Sequence, residues 1–277
     1  MPEHDTNDAA GANGGDVSDP AAAGFVPDTC VGFDVTADFA HFRKVGNNSA
    51  KPSYRIPPRT TLAGMLAGIL GLDRDSYYDL FAPSTSAVAV VPKRLPHTYT
   101  MGITTVNTKA DDAIQYLPRD RHYTKSAEML TPRSYVKYDR QRDTYEMLVD
   151  PSYRVYVALS DTEIDRELQD RLVNSRYHYS PSLGLSECLA ELSAVDTHAV
   201  EPAEEATIDS IAYDDDIIVP QPGVTTQHER APLYMEATDG GRRPTTFGNI
   251  TYSPDDDPLT VESTHVYTVG DHRVTFS

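Results

Sequence analysis

Leu62, Met65, Leu66, Ile69 and Leu70 recur at i, i+3, i+4, i+7 and i+8, and this stripe constrains the fold more than any other feature. The spacing places five apolar side chains on one face of a helix, and that face needs a surface to cover it. Pro57 and Pro58 stand just before the stripe, and Gly71 stands just after it, where a left-handed stop suits glycine. Candidate partner strands flank the helix. Val31, Phe33, Val35 and Phe39 fall at odd positions on one strand face. Residues 87–91 form a short apolar run that reads as a buried strand, residues 97–106 alternate beside it, and 76–81 add a helical turn at most.

Residues 134–138 and 144–149 read as a hairpin inside a Tyr-rich stretch, and 154–159 as a further strand. Ile164, Leu168 and Leu172 stripe a second helix, with Ser160 and Glu163 at capping-box spacing. Residues 179–186 form turns, and 193–200 read as a strand. The order predicts an α+β, ferredoxin-like β-α-β-β-α-β core with a basic hairpin insertion and extra C-terminal β strands such as 246–252 and 264–269. The predicted division is a disordered acidic tail over 1–28, a core over 29–202 with the insertion at about 107–150, and a β extension over 203–277 packed on the core.

The chain carries 24 Lys and Arg against 42 Asp and Glu, a formal charge of -18. Such a surface keeps a protein soluble where salt screens self-repulsion, as in halophiles; at molar salt the Debye length is ~3 Å. The charge is unevenly spread. Residues 41–142 hold 16 basic and 8 acidic side chains, while the flanks hold 8 basic and 34 acidic. A basic middle in an acidic chain points to a surface that touches a polyanion. No run of apolar residues is long enough to span a bilayer, and the N-terminus lacks a basic start and an apolar h-region, so a cytoplasmic location is expected. Cys30 and Cys188 lie too far apart for zinc spacing and read as buried small hydrophobes.

The segment Ser53-Tyr54-Arg55-Ile56-Pro57-Pro58-Arg59-Thr60-Thr61-Leu62-Ala63-Gly64 delivers two arginines, a tyrosine and two hydroxyls to a helix N-terminus, where unpaired N–H groups favour an anion. The plainer alternative is that Thr60 or Thr61 caps the helix and both arginines, read as exposed, are solvated. Arg119, Arg121, His122, Tyr123, Lys125, Arg133, Tyr135, Lys137 and Tyr138 interleave charge with rings, the mixture that grips phosphates and stacks splayed bases of single-stranded RNA. The acidic runs 214–216 and 255–257 lack calcium-loop spacing and read as solvated surface; no metal or cofactor is expected.

Phe33 to Phe42, the Ser-Tyr-x-Ile-Pro-Pro-Arg-Thr-Thr-Leu-x-Gly segment and the Ile69-Leu70-Gly71 ending resemble the N-terminal half of a CRISPR-associated family. It is the fifth-named Cas subunit, the RAMP-type protein of type I Cascade complexes, with the type I-B, haloarchaeal branch most similar. Pro181-Ser182-Leu183-Gly184-Leu185-Ser186-Glu187-Cys188 resembles the glycine loop of RAMP proteins. The resemblance implies a non-catalytic subunit in antiviral defence that caps the single-stranded 5′ handle of the crRNA and contacts the backbone and large subunits. It implies a handle site drawn from Arg43, Lys44, Ser53, Tyr54, Arg55, Arg59, Thr60, Leu183, Gly184 and Ser186. A thumb carrying Arg119, Arg121, His122, Tyr123, Lys125, Arg133 and Lys137 would lie over the RNA, with target DNA near it. One branch of the family cuts precursor RNA without a metal, which makes Tyr54, His122 and Lys125 the alternative catalytic set; His41 and His97 are equally available as the histidine. A ferredoxin-like interaction module without RNA is the third reading.

Overall fold

The computed structural model describes residues 24–44, 50–106, 140–239, 241–263 and 265–277. Strands β1 (Thr29–Thr36), β2 (Phe39–Ala40), β3 (Phe42–Arg43), β4 (Ala50–Lys51) and β5 (Ser53–Tyr54) precede helix α1 (Arg59–Leu70). Then come β6 (Ser86–Arg94), β7 (His97–Val106), β8 (Arg140–Val149), β9 (Ser152–Leu159) and α2 (Thr162–Val173). The order continues through β10 (Glu191–Pro202), β11 (Thr207–Ile208), β12 (Ile217–Val219), β13 (Gln227–Thr238) and β14 (Gly241–Tyr252), and ends with β15 (Leu259–Glu262), β16 (Tyr267–Val269) and β17 (His272–Val274).

The main sheet has the order β17-β16-β10-β1-β9-β6. Strand β1 pairs antiparallel with both β9 and β10, setting Phe33 opposite Val155 and Val31 opposite Val157. These four side chains point to one face, as a two-residue period requires. Leu62, Leu66 and Ile69 of α1 and Leu168 and Leu172 of α2 cover that face in one apolar cluster. Burying each such side chain contributes about 1.5–3 kcal/mol. Helix α1 starts at Pro58 without a side-chain cap, so neither Thr60 nor Thr61 caps it, and it ends at Gly71, whose φ is 73°. Helix α2 is capped by Asp161 rather than Ser160: its Oδ1 accepts from the amides of Glu163 (3.0 Å) and Ile164 (3.1 Å).

The α+β, ferredoxin-like expectation is overturned. Strands take 49% of the described residues and helices 11%, all of it in two helices. The reason lies on the sheet's second face. Cys30, Ala89, Val91, Tyr156 and Ala158 point there and meet Val269 of β16 and Val274 of β17 in a second cluster. The chain past β17 then reaches the opposite edge, where Ser277 donates its amide to the Val88 carbonyl of β6 (3.1 Å) and accepts from the Val88 amide (3.4 Å). The sheet is therefore nearly closed on itself, and the protein is mostly β. Phe25, inside the stretch read as a tail, packs on this second cluster and donates its amide to the Pro83 carbonyl (3.0 Å). Residues 1–23 lie outside the described residues.

Two long hairpins complete the architecture. Strand β8 pairs along its whole length with β7, from His97 opposite Val149 to Val106 opposite Arg140. The hairpin expected within 134–149 is thus formed with β7, and residues 134–138 lie outside the described residues. Strands β13 and β14 pair with each other and contribute Ala231, Ile250 and Tyr252 to the main core. Both cysteines are free and buried, and burial pushes the Cys30 thiol up to about 12.

Candidate nucleic-acid interface

Four segments converge beside α1. Strand β2 pairs with the end of β8, setting Ala40 opposite Leu148, and β3 pairs with β5, setting Phe42 opposite Tyr54 and Arg43 opposite Ser53. Strand β4 runs parallel to β8, with Lys51 opposite Tyr145. The glycine turn closes over this junction. The His41 amide donates to the Leu183 carbonyl (3.2 Å), and the Leu183 amide donates to the Cys188 carbonyl (2.8 Å). Gly184 has φ 91°, and a Cβ built there would lie 2.8 Å from the His41 carbonyl carbon and closer still to its oxygen. Only glycine lets the turn seat on the β2–β3 backbone.

The side chains at this junction are mostly engaged with one another. Ser53 is buried: its Oγ accepts from the Phe42 amide (2.9 Å) and donates to the Tyr54 carbonyl (2.9 Å). Tyr54 is 4% exposed, with the Lys44 ammonium 5.3 Å from its ring centre. Burial and the Glu229 charge push its hydroxyl above the ordinary tyrosine value, which opposes ionisation. Lys44 pairs with Glu229 at 2.6 Å, and the Arg55 amide donates to the other Glu229 oxygen at 3.0 Å. The Arg55 guanidinium donates to the Pro96 carbonyl at 2.9 Å. Arg43 is exposed, Leu183 is fully buried, and Ser186 is exposed beside Glu187.

Arg59 corrects the reading of an exposed helix-end cation. It is 3% exposed and donates to the Phe81 carbonyl (3.3 Å), to the Ser86 carbonyl (3.0 Å) and Oγ (2.7 Å), and to Ser277. Burial lowers its guanidinium to about 10. Arg59 ties α1 to the seam where the sheet closes, facing away from solvent. Thr60, the next residue, is half-buried and makes no cap.

The structure thus brings Arg43, Lys44, Ser53, Tyr54, Arg55, Leu183 and Gly184 to one junction and leaves Arg59 in the core. Arg119, Arg121, His122, Tyr123, Lys125, Arg133 and Lys137 lie outside the described residues. Sequence reasoning missed two functional-looking groups, Lys51 and Glu229, and named His41 only as an alternative catalytic histidine. Lys51 contacts Asp143, donates to the Tyr145 hydroxyl (3.0 Å) and lies 4.6 Å from that ring's centre. Its ammonium is held above the ordinary lysine value, first by the Asp143 hydrogen bond. His41 is 2% exposed; Nδ1 donates to the Glu146 carbonyl (2.9 Å) and Nε2 has no partner. Burial lowers its imidazole below the ordinary histidine value. Glu229 lies 185 residues from its Lys44 partner, and no spacing rule links the two. Nothing in the sequence marks Lys51, because β4 and β5 are two residues each, whereas His41 lies within the Phe33–Phe42 motif.

Among the described residues no group of three or more His, Cys, Asp or Glu is placed to hold a metal ion. Among them, too, no helix is long and apolar enough to cross a membrane.

Residues 30–245 match the family described as CRISPR-associated protein (Cas_Cas5), and the chain belongs to that family. Among solved structures, a CRISPR protein from Archaeoglobus fulgidus is 13% identical, with TM-score 0.50 over 89% of this chain and 98% of that one. A chain of a CRISPR RNA-guided surveillance complex is 16% identical, with TM-score 0.47 over 84% and 92%. A chain of a type III-B Cmr-beta complex bound to cognate target RNA is 10% identical, with TM-score 0.42 over 83% and 86%. At these identities the likeness concerns the fold alone. No curated protein matches the chain.

Proposed function

We propose that the chain is a non-catalytic, cytoplasmic RNA-binding subunit of a type I-B CRISPR effector complex, and that it holds the single-stranded 5′ handle of the crRNA. Its partners in that reading are the backbone and large subunits, with target DNA passing near the basic insertion. The observation that carries the proposal is the seating of the Gly184 turn on the His41 carbonyl, beside Arg43 and Lys44. The absent Cβ lets the turn pack on the His41 carbonyl, which fixes it beside the adjoining strand, whose basic side chains supply the counter-charge for a nucleic-acid backbone. Family membership supplies the CRISPR context.

The ribonuclease alternative asks Tyr54 to act as a proton carrier. Its burial and raised hydroxyl value weigh against that role. The test is incubation of the purified protein with CRISPR repeat RNA in EDTA. An intact, shifted probe supports the binding subunit. A cut product overturns it in favour of the nuclease, and an unshifted probe overturns both.

A further inference from the structure

Lys44 and the Arg55 amide, which directly follow β3 and β5, already hold an anion, and that anion belongs to the protein. Glu229 sits on β13, with its side chain 12% exposed. One oxygen meets the Lys44 ammonium at 2.6 Å and the other accepts from the Arg55 amide at 3.0 Å. Its charge also acts on the hydroxyls of Tyr54, Tyr153 and Tyr252, which burial pushes up first. The arrangement is a bidentate anion cradle of one ammonium, one backbone N–H and a surround of aromatic rings. A phosphodiester likewise presents two anionic oxygens on one centre, and the same donor set takes it.

We propose that Glu229 is an internal plug in a phosphate site formed by Lys44 and the Arg55 amide, and that a backbone phosphate of the bound RNA displaces it. This rests on the RNA-binding reading above. The displaced carboxylate returns to water at the base of the β13–β14 hairpin, so its rehydration offsets part of the lost pair. The plug has two consequences. It keeps a partly buried cation paired in the free protein, where an unpaired one is costly. It also weakens every RNA by the same competition, so that only an RNA making enough other contacts opens the site. Glu229 thereby acts as a selectivity threshold placed on an element 185 residues away from Lys44.

The test measures binding of a short repeat-derived single-stranded RNA across a salt series for the parent, Glu229→Gln, Lys44→Met and the double variant, with melting curves for each. Glutamine keeps the shape and an oxygen for the Arg55 amide but removes the competing charge. The expected result is on the order of fivefold tighter binding for E229Q, with that gain lost in the double variant. The salt slope of K44M should be shallower than that of the parent by about 0.7, one phosphate on a single strand. Affinity in E229Q equal to or weaker than the parent overturns the plug while leaving RNA binding intact. Should E229Q melt early, the K44M slope decides alone, since an unchanged slope means that Lys44 stays on Glu229 in the complex. Absence of binding by the parent and every variant overturns the RNA-binding reading and the plug with it.

Discussion

Gly184 and His41 meet at the point where the candidate interface is built, and each carries a measurable consequence. At Gly184 the backbone is left-handed and a Cβ would press on the His41 carbonyl, which is backbone and has no side-chain freedom to yield. Gly184→Ala is therefore expected to cost about 2 kcal/mol or more in a urea titration, and to weaken RNA binding through the displaced turn. An alanine variant as stable as the parent would mean that the turn is not seated as described. For His41 the sign follows from burial. The folded imidazole lies below its ordinary value, so between the two values the unfolded chain binds more protons. Its contribution to stability is complete above about 6.5, the ordinary value, and declines as pH falls below that until the folded imidazole is also protonated. His272, also lowered by burial, adds a decline of the same sign. His41→Gln is expected to make the fall in urea midpoint between about pH 6.5 and 5 less steep than in the parent; an identical fall would remove His41 from the account.

At the scale of elements, the two helices are held by different means. Helix α1 buries Leu62, Met65, Leu66, Ile69 and Leu70 and needs no side-chain cap; α2 buries only Leu168 and Leu172 and carries the Asp161 cap. The polar helix depends more on its terminus. Asp161→Ala is expected to cost about 1 kcal/mol by urea titration, whereas Thr60→Ala, at the uncapped start of α1, should stay within about 0.5 kcal/mol. Periodicity made both helices legible because each stripe is set by the face that the helix buries. Strand β7 was legible for the same reason. Its partner was not: an alternating run shows that a strand has two faces, not which strand lies beside it, and β8 was assigned to a neighbour nearer in sequence. The caps went astray because Ser160 and Asp161 both fit the chemistry, and a one-residue difference in where the helix begins decides between them. Within the candidate site, the glycine turn could be read from its motif, but the Glu229 contact could not. That contact depends on how β13 is laid against β5, which local sequence does not encode.

Over the whole molecule, the decisive feature is the seam that turns a six-stranded sheet into a nearly closed one, and Arg59 is its fastener. The helix stripe and the strand alternation specify the face that α1 and α2 cover, and they leave the other face open; 264–269, which holds β16, reads as a strand but not as the one that pairs with β10, and β17 is three residues, too short for periodicity to be read from it. Once closed, the seam places the Ser277 backbone against Val88, and the Arg59 guanidinium bridges Ser277, Ser86 and Phe81 from below. Without Arg59, buried carbonyls lose their donor; without residues 275–277, the guanidinium loses its acceptors at Ser277 and the second cluster loses Phe276. Each change alone should cost about 2–4 kcal/mol, because each strands buried polar groups. If Arg59 acts mainly through the seam, the two changes remove one shared contact and their effects cannot add. A double-mutant cycle of Arg59→Ala and deletion of residues 275–277 is expected to show a coupling of about 1–3 kcal/mol, with the double variant more stable than the sum of the singles implies. Additive losses would mean that Arg59 and the closing segment stabilise separate parts of the protein, and that the sheet would remain curled without its fastener.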